Sequence, residues 1–259
     1  MTLLESILLG IIQGLSEFLP ISSSGHLALG HHLFGLEEDG LLFHIVVHVG
    51  TLIPVCIVFW QDIWALIKKP FQKMTYLLII ATLPAVVVAL FARDLVGIAM
   101  SSLHFLTAGF LITGTVLLVS DRFKKTNKKS AEITYMDALI IGIAQGIAIF
   151  PGISRSGSTI TAALARGINR EDAAKFVFLL SIPAILGGLV LEIFEMIQEG
   201  ITLADIDFVV MGGGFIAAML SGYLAIRFML AAIKKAKLRY FAYYVFVLAA
   251  VIGVFLFVS

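Results

Sequence analysis

Residues 10–25 read GIIQGLSEFLPISSSG and residues 142–157 read GIAQGIAIFPGISRSG, an offset of 132. Nine of the sixteen aligned positions are identical: Gly10, Ile11, Gln13, Gly14, Phe18, Ile21, Ser22, Ser24 and Gly25 recur as Gly142, Ile143, Gln145, Gly146, Phe150, Ile153, Ser154, Ser156 and Gly157. The copies differ in their ionisable residues. Glu17 aligns with Ile149, Ser23 with Arg155, and His26 with Ser158, so acid and imidazole lie in one copy and the cation in the other. A duplication that divides its chemistry in this way points to one composite site built from two halves.

The surroundings of the repeat set its solvent. With 60% hydrophobic and 14% charged residues and a mean hydropathy of +1.04, the chain is too apolar for an ordinary soluble domain and reads as a polytopic membrane protein. A net charge of +1 gives no support to nucleic-acid binding. Cys56 is the sole cysteine, so no intrachain disulfide can form and the redox compartment is not legible. No Lys or Arg precedes Lys68, so the basic segment of a cleavable signal peptide is missing and the amino terminus is expected to be retained.

A hydrocarbon core of roughly 30 Å takes about 20 apolar helical residues to span. Six stretches qualify: 41–60, 75–92, 103–120, 176–194, 207–230 and 240–258. Regions 2–34 and 133–166 are also apolar, but Pro20 and Pro151–Gly152, each followed by serines, break them. The helical remainders, Gly25–Phe34 and Gly157–Arg166, are too short to cross. Broken backbone at membrane depth is tolerated where it is buried in protein or lines a wet cavity, so both regions read as re-entrant helix–loop–helix hairpins. Lys and Arg number three in 61–73, five in 121–135, three in 166–175 and five in 227–239, against Arg93 alone in 93–102 and none in 195–206. The positive-inside bias makes the first group cytoplasmic and the second external, so the two hairpins enter from opposite sides. The expected fold is an all-α polytopic integral membrane protein, an inverted-topology repeat with six transmembrane helices and two re-entrant hairpins. It forms one membrane domain over 1–259, with 1–130 as the first repeat and 131–259 as the second. Pro54 and Pro183 match at an offset of 129, a shifted continuation of the repeat.

Half-helix N-termini meeting near the midplane suit an anionic ligand. Glu17 and Arg155 are ionisable groups inside the apolar region, where charge is costly and by default functional. A guanidinium grips two phosphate oxygens at once. Ser154, Ser156, Ser158 and Thr159 surround it, and the facing loop adds Ser22, Ser23, Ser24 and His26. Hydroxyl, imidazole and carboxylate are the ingredients of an activated nucleophile. Gln13 lies one turn before Glu17, on the same helix face, and the pair could hold a divalent cation. Other readings compete: such serines also cap and pack membrane helices, and Glu17 with Arg155 could form a purely structural ion pair. His31, His32, His44, His48 and His104 read as packed or interfacial histidines, with His48 and Thr51 as candidate cavity residues. Lys124, Lys125, Lys128 and Lys129 read as a positive-inside signal, and Gly212–Gly214 as a site of close helix approach.

The segment Gln13-Gly-Leu-Ser-Glu17-Phe-Leu-Pro-Ile-Ser-Ser-Ser-Gly-His26, together with Pro151-Gly-Ile-Ser-Arg155-Ser-Gly-Ser-Thr159, resembles the two signature motifs of the bacterial undecaprenyl pyrophosphate phosphatases associated with bacitracin resistance. The first motif in that family is Glu or Gln, three residues, then Glu; this chain has the Gln13 form. The resemblance implies removal of the terminal phosphate of a C55 isoprenoid pyrophosphate at the outer face of the bacterial cytoplasmic (inner) membrane, recycling the lipid carrier for cell-wall synthesis and conferring bacitracin resistance. It implies a divalent cation, Mg or Ca, and as partners the polyprenyl pyrophosphate and the lipid bilayer, with a homodimer left open. Under the resemblance Gln13 and Glu17 serve metal or water, Ser23 and His26 the attack, and Arg155 with Ser22, Ser24, Ser154, Ser156 and Thr159 the pyrophosphate. Ser23, His26 and a metal-bound water all remain open as nucleophile, with Ser23 preferred because it faces Arg155 in the repeat alignment. The alternative from another class is a lipid-phosphate flippase or secondary transporter using the inverted-repeat site.

Overall fold

The computed structural model describes residues 1–36, 40–123, 127–198, 200, 207–234 and 238–258. Among them the regular structure is helical: α1 (Leu3–Phe18), α2 (Ser23–Phe34), α3 (Gly40–Val58), α4 (Trp60–Lys68), α5 (Lys73–Phe91), α6 (Arg93–Met100), α7 (Leu103–Ser120), α8 (Tyr135–Ile147), α9 (Arg155–Ala165), α10 (Arg170–Gln198), α11 (Phe208–Lys234) and α12 (Arg239–Val258). Six are long and apolar enough to cross a membrane, namely α3, α5, α7, α10, α11 and α12, and they coincide with the six expected stretches. The protein is an all-α, multi-pass membrane protein. α10 begins at Arg170, earlier than its apolar run, because Asn169 Oδ1 accepts from the Asp172 amide at 3.0 Å and starts the helix in polar sequence. Two short amphipathic helices were not anticipated. α3 stops at Val58, and α4 continues from the non-helical Phe59 with no buried residue, Trp60 stacked on Trp64 at 5.7 Å. α6 follows α5 after a similar break at Ala92.

The repeat is longer in three dimensions than in sequence identity. Thr2 and Glu5 form a capping box at the start of α1, and Thr134 and Asp137 form one at the start of α8, 132 residues on. After the breaks, Ser22 Oγ accepts from the Gly25 amide at 3.4 Å and Ser154 Oγ from the Gly157 amide at 3.1 Å. These caps start α2 and α9 two residues ahead of the expected Gly25 and Gly157. The ends match too. Gly35 and Gly167 are left-handed (φ 66° and 79°), and the Leu36 and Ile168 amides donate back to the His31 and Ala163 carbonyls at 3.0 and 3.1 Å. The same plan therefore runs without insertion from Thr2 to Leu36 and from Thr134 to Ile168.

Each helix–break–helix unit packs on a long helix from the other half of the chain, α1 on α11 and α8 on α5. Glycine lets the backbones touch. A Cβ on Gly10 would lie 2.4 Å from the Gly214 carbonyl oxygen, and one on its counterpart Gly142 would lie 2.6 Å from the Ala81 carbonyl oxygen. α7 and α12 pair between the units, Gly114 receiving the Phe246 ring. The main core gathers Leu77, Leu78 and Ala81 of α5 with Phe176–Leu180 of α10 and Ile160, Ala163 and Leu164 of α9.

Basic residues collect at the end of the molecule where α8 starts and α9 stops. Asp137, fully buried, accepts from Lys128 and from Arg166 Nε, the latter at 2.8 Å, and Lys175 pairs with Asp62 at 2.5 Å. Burial opposes the Asp137 charge, yet Lys128, the Thr134 cap and Arg166 hold its carboxyl well below the usual carboxylate range. Lys124 and Lys125, part of the expected charge bias, lie outside the described residues.

Gly10→Ala is expected to lower the thermal midpoint of the detergent-solubilised protein, since overpacking a close contact costs about 1–3 kcal/mol. Gly97→Ala, whose Cβ would meet nothing within 4 Å, should instead hold or raise it through helix propensity, by up to about 1 kcal/mol. Equal midpoints for the two variants would mean that α1 does not seat against α11.

Candidate active site

Both serine loops face one cavity of about 610 Å³. Repeat-related positions line it together: Glu17 with Ile149, Ser22 with Ser154, Ser23 with Arg155, and Ser24 with Ser156. The cavity lies between α5 and α10. The core joins these helices, and on the cavity side of it the lining starts at Thr82 of α5 and Pro183 of α10, with a further internal proline, Pro84, in α5. Its walls are then mostly apolar, with small residues at Ala85, Ala89, Gly187 and Gly188, and its far end carries Glu192 and the Arg93–Glu195 ion pair at 2.9 Å.

Glu17 is the hub at the inner end. It closes the last turn of α1, is 6% exposed, and takes three donors: Ser23 Oγ at 2.5 Å, Gln13 Nε2 at 3.1 Å, and the Arg155 guanidinium from the other unit. The expected i,i+4 pairing of Gln13 with Glu17 is present. Gln13 itself stands behind Glu17, not on the cavity wall, and its buried Oε1 has no hydrogen-bond partner among the described residues. Arg155 is the first residue of α9, so its position follows from the Ser154 cap; Ser23 is likewise first in α2 after the Ser22 cap. A buried ion pair needs close geometry to offset desolvation, and losing one partner costs about 3–5 kcal/mol.

The hydroxyls hold the loops to each other. Ser156 Oγ donates to the Leu19 carbonyl at 3.0 Å, tying the start of α9 to the first break. Ser22 and Ser24 hydroxyls lie 3.4 Å apart, and those of Ser154 and Ser156 lie 3.3 Å apart. Ser22 has φ 72°, the sole positive φ at a non-glycine among the described residues, a strained conformation that its surroundings must enforce. His26 helps to enforce it: Nδ1–H donates to the Ser22 carbonyl at 2.7 Å, since a carbonyl only accepts. Nε2 is therefore the acceptor, and the Tyr244 hydroxyl donates to it at 2.8 Å. The ring lies against Phe110 and Tyr244, outside the cavity lining. Thr159 also lies off the main cavity. Its Oγ1 donates to the Arg155 carbonyl at 2.7 Å, and it lines a water-sized hole of about 10 Å³ behind Glu17.

Of the expected residues, then, Glu17, Ser22, Ser23, Ser24, Ser154, Arg155 and Ser156 converge on the cavity, while Gln13, His26 and Thr159 stand behind it. His48 lines the cavity; Thr51 does not. Sequence reading missed Tyr244 and Thr113, because nothing in the apolar runs of α12 and α7 marks which polar side chain turns inward. Thr113 Oγ1 donates to the Gly152 carbonyl and accepts from the Ser154 amide, both at 2.8 Å, and so pins the second break to α7.

The family described as "Bacitracin resistance protein BacA" matches residues 6–251. A relative in Carboxydothermus hydrogenoformans, named undecaprenyl-diphosphatase, is 48% identical over 248 residues, covering 96% of this chain and 95% of its own. Bacillus thuringiensis has an "undecaprenyl-diphosphatase 4" that is 46% identical, with 97% of this chain and 96% of its own covered. The undecaprenyl-diphosphatase of Alkaliphilus metalliredigens is 41% identical, with 98% and 99% covered.

Thr113→Val leaves the buried Ser154 amide and Gly152 carbonyl without their side-chain partner, at a cost of about 1–3 kcal/mol. Thr115→Val removes only a helix back-bond from an exposed threonine to the Leu111 carbonyl. The first should lower the thermal midpoint in detergent and the second should leave it nearly unchanged. A Thr113→Val midpoint equal to that of Thr115→Val would break the assigned link between α7 and the second loop.

Proposed function

Since the chain belongs to the bacitracin resistance protein BacA family, we propose that it hydrolyses undecaprenyl diphosphate to the monophosphate and inorganic phosphate, recycling the lipid carrier and conferring bacitracin resistance. One observation carries the reading: Ser23 donates to Glu17, Glu17 is paired across the repeat with Arg155, and all three line the inner end of a cavity whose walls are apolar. That is a hydroxyl beside a base and a cation, with room for a lipid phosphate.

In this mechanism Ser23 Oγ attacks the terminal phosphorus as its proton passes to Glu17. Arg155 presents its remaining N–H donors to the phosphoryl oxygens and neutralises charge that grows in flight, helped by the amide ends of α2 and α9 and by Ser24, Ser154 and Ser156. Ser23 is favoured over His26 as nucleophile because the His26 lone pair is occupied by Tyr244 and the ring is off the cavity. His26 instead holds Ser22, and with it the start of α2.

A divalent cation would find one carboxylate here, Glu17, whose oxygens already take Ser23, Gln13 and Arg155. Hard cations take oxygen ligands, and Mg²⁺ is commonly held by one or two carboxylates with substrate phosphates completing its shell. Glu17 and Gln13 Oε1, which has no hydrogen-bond partner among the described residues, would hold it. When bound it supplies further charge neutralisation at the phosphate.

The two short units read as re-entrant hairpins in an inverted repeat, 1–130 and 131–259: α2 has 12 residues and α9 has 11, about 16–18 Å at ~1.5 Å per residue, short of a roughly 30 Å core. At the cavity mouth Arg93 and Glu195 lie in the Lys/Arg-poor segments 93–102 and 195–206, with Glu192 one turn before, and the basic cluster around Asp137 lies elsewhere, which supports an outward-facing site in the bacterial inner membrane. The lipid chain would leave between α5 and α10, where Val86, Leu90, Leu186 and Val190 are exposed.

Phosphate release by purified protein in detergent tests the reading, since no sealed compartment exists there; lipid binding without release would favour the flippase or transporter alternative. Ser23→Ala should fall to background. Arg155→Lys keeps charge but loses the fork, and should lose at least about tenfold, ~1.4 kcal/mol. Glu17→Ala/Arg155→Ala should be little worse than the poorer single variant, as for residues acting as a unit. Fully additive losses would separate the two units into different sites.

A further inference from the structure

Double displacement through Ser23 needs a base for the water of its second step. If Glu17 keeps the serine proton after the first step and returns it to Oγ when the phosphoserine breaks, the attacking water needs another acceptor facing the same cavity. This reasoning rests on Ser23 as nucleophile and Glu17 as its base.

His48 of α3 meets the requirement. It lines the same cavity as Glu17, Ser23 and Arg155. Its Nδ1–H donates to the His44 carbonyl at 2.8 Å. Because a carbonyl only accepts, the proton of the neutral ring is fixed on Nδ1, and the lone pair is on Nε2, which makes no hydrogen bond among the described residues. The charged and titratable groups around it are Glu17 from α1, Arg155 from α9, Glu192 from α10, and His44 on its own helix, whose ring centroid is 6.4 Å away. Glu17 is committed to Ser23 and Arg155, and Glu195 to Arg93, so within the cavity His48 and Glu192 are the groups open to a water proton. Of the two, His48 has its acceptor atom fixed by the protein.

We propose that His48 Nε2 is the general base for hydrolysis of the phosphoserine. In the first step the Ser23 Oγ–P bond forms, the bridging P–O bond breaks, and its electron pair leaves on the lipid monophosphate, which departs as an anion and needs no proton. In the second step the water oxygen bonds to phosphorus, its proton goes to His48 Nε2, the P–Oγ bond breaks, and Oγ takes back the proton held by Glu17. His48 then releases its proton to the departing inorganic phosphate, and every residue returns to its starting state.

The test uses the purified full chain with a polyprenyl diphosphate labelled in its terminal phosphate, acid-quenched over a time course. In His48→Ala, steady-state turnover should fall at least tenfold while label accumulates on Ser23 toward one per chain, because formation of the phosphoserine is spared. Added imidazole should drain that label and restore turnover, which a purely structural role of His48 would not allow; His48→Gln should trap label without rescue. Glu192→Gln, which removes the competing acceptor, should release phosphate without trapping label on Ser23. Phosphoserine that turns over at the unsubstituted rate in both His48 variants overturns the assignment, as does trapping in Glu192→Gln alone. Absence of label on Ser23 in every protein, with phosphate still released, overturns the reading of Ser23 itself and this inference with it.

Discussion

The Arg155–Glu17 ion pair is the contact on which the rest of the arrangement depends. Its partners start one helix and finish another, they come from units 132 residues apart, and their side chains are 22% and 3% exposed. A carboxylate this deep is tolerable only with charge and hydrogen bonds around it. Glu17 has Arg155, Ser23 and Gln13, so the fold that closes the two breaks on each other is also the fold that satisfies the acid. Ser156 on the Leu19 carbonyl and Thr113 on the second break fix the same junction from the sides.

Duplication explains how such a junction can be built from ordinary parts. The capping boxes, the serine caps and the left-handed glycine ends recur in both units, and the only ionisable side chains they use are Glu5 and Asp137, far from the breaks. The plan supplies two helix N-termini, each surrounded by hydroxyls, and the substitutions at 17/149 and 23/155 then give one unit an acid and a serine and the other an isoleucine and an arginine. The Ser22 cap has φ 72° where Ser154 has φ −72°, so the copies differ in backbone where they differ in chemistry. His26, aligned with Ser158, supplies the extra hold that the strained copy requires.

Much of this was legible in the sequence because the membrane makes apolarity and interruption informative. The six spans and both breaks follow from run length, proline and serine, and the convergence of Glu17, Ser23 and Arg155 from an intramembrane charge in each copy. Less visible were features set by helix rotation. Whether a residue three positions after Ser23 points into the cavity or away from it depends on the phase of α2, and His26 points away; Thr159, four after Arg155, lies on the face turned to α10. Tyr244 is one of three tyrosines in α12 and Thr113 one of three threonines in α7, without a pattern to distinguish inward from outward. The short helices α4 and α6 were hidden because their apolar faces extend the hydropathy of the spans beside them.

A diphosphate in an apolar cavity poses a desolvation problem, and the pre-formed ion pair bears on it directly. An isolated guanidinium waiting at this depth would be as costly as an isolated phosphate. With Glu17 as its partner Arg155 is already charge-balanced, and a planar group with five donors can keep the carboxylate on one edge while offering another. Binding of an anion then extends an existing network instead of creating a charge contact anew. Polar groups are confined to the inner end and the mouth, and the wall between them is apolar, with small residues at Ala85, Ala89, Gly187 and Gly188. Such a wall gives a free phosphate little to hold, whereas an attached isoprenoid gains from each apolar contact it makes there. Under the proposed function, selectivity for a lipid diphosphate over soluble phosphates would follow from where the polarity stops.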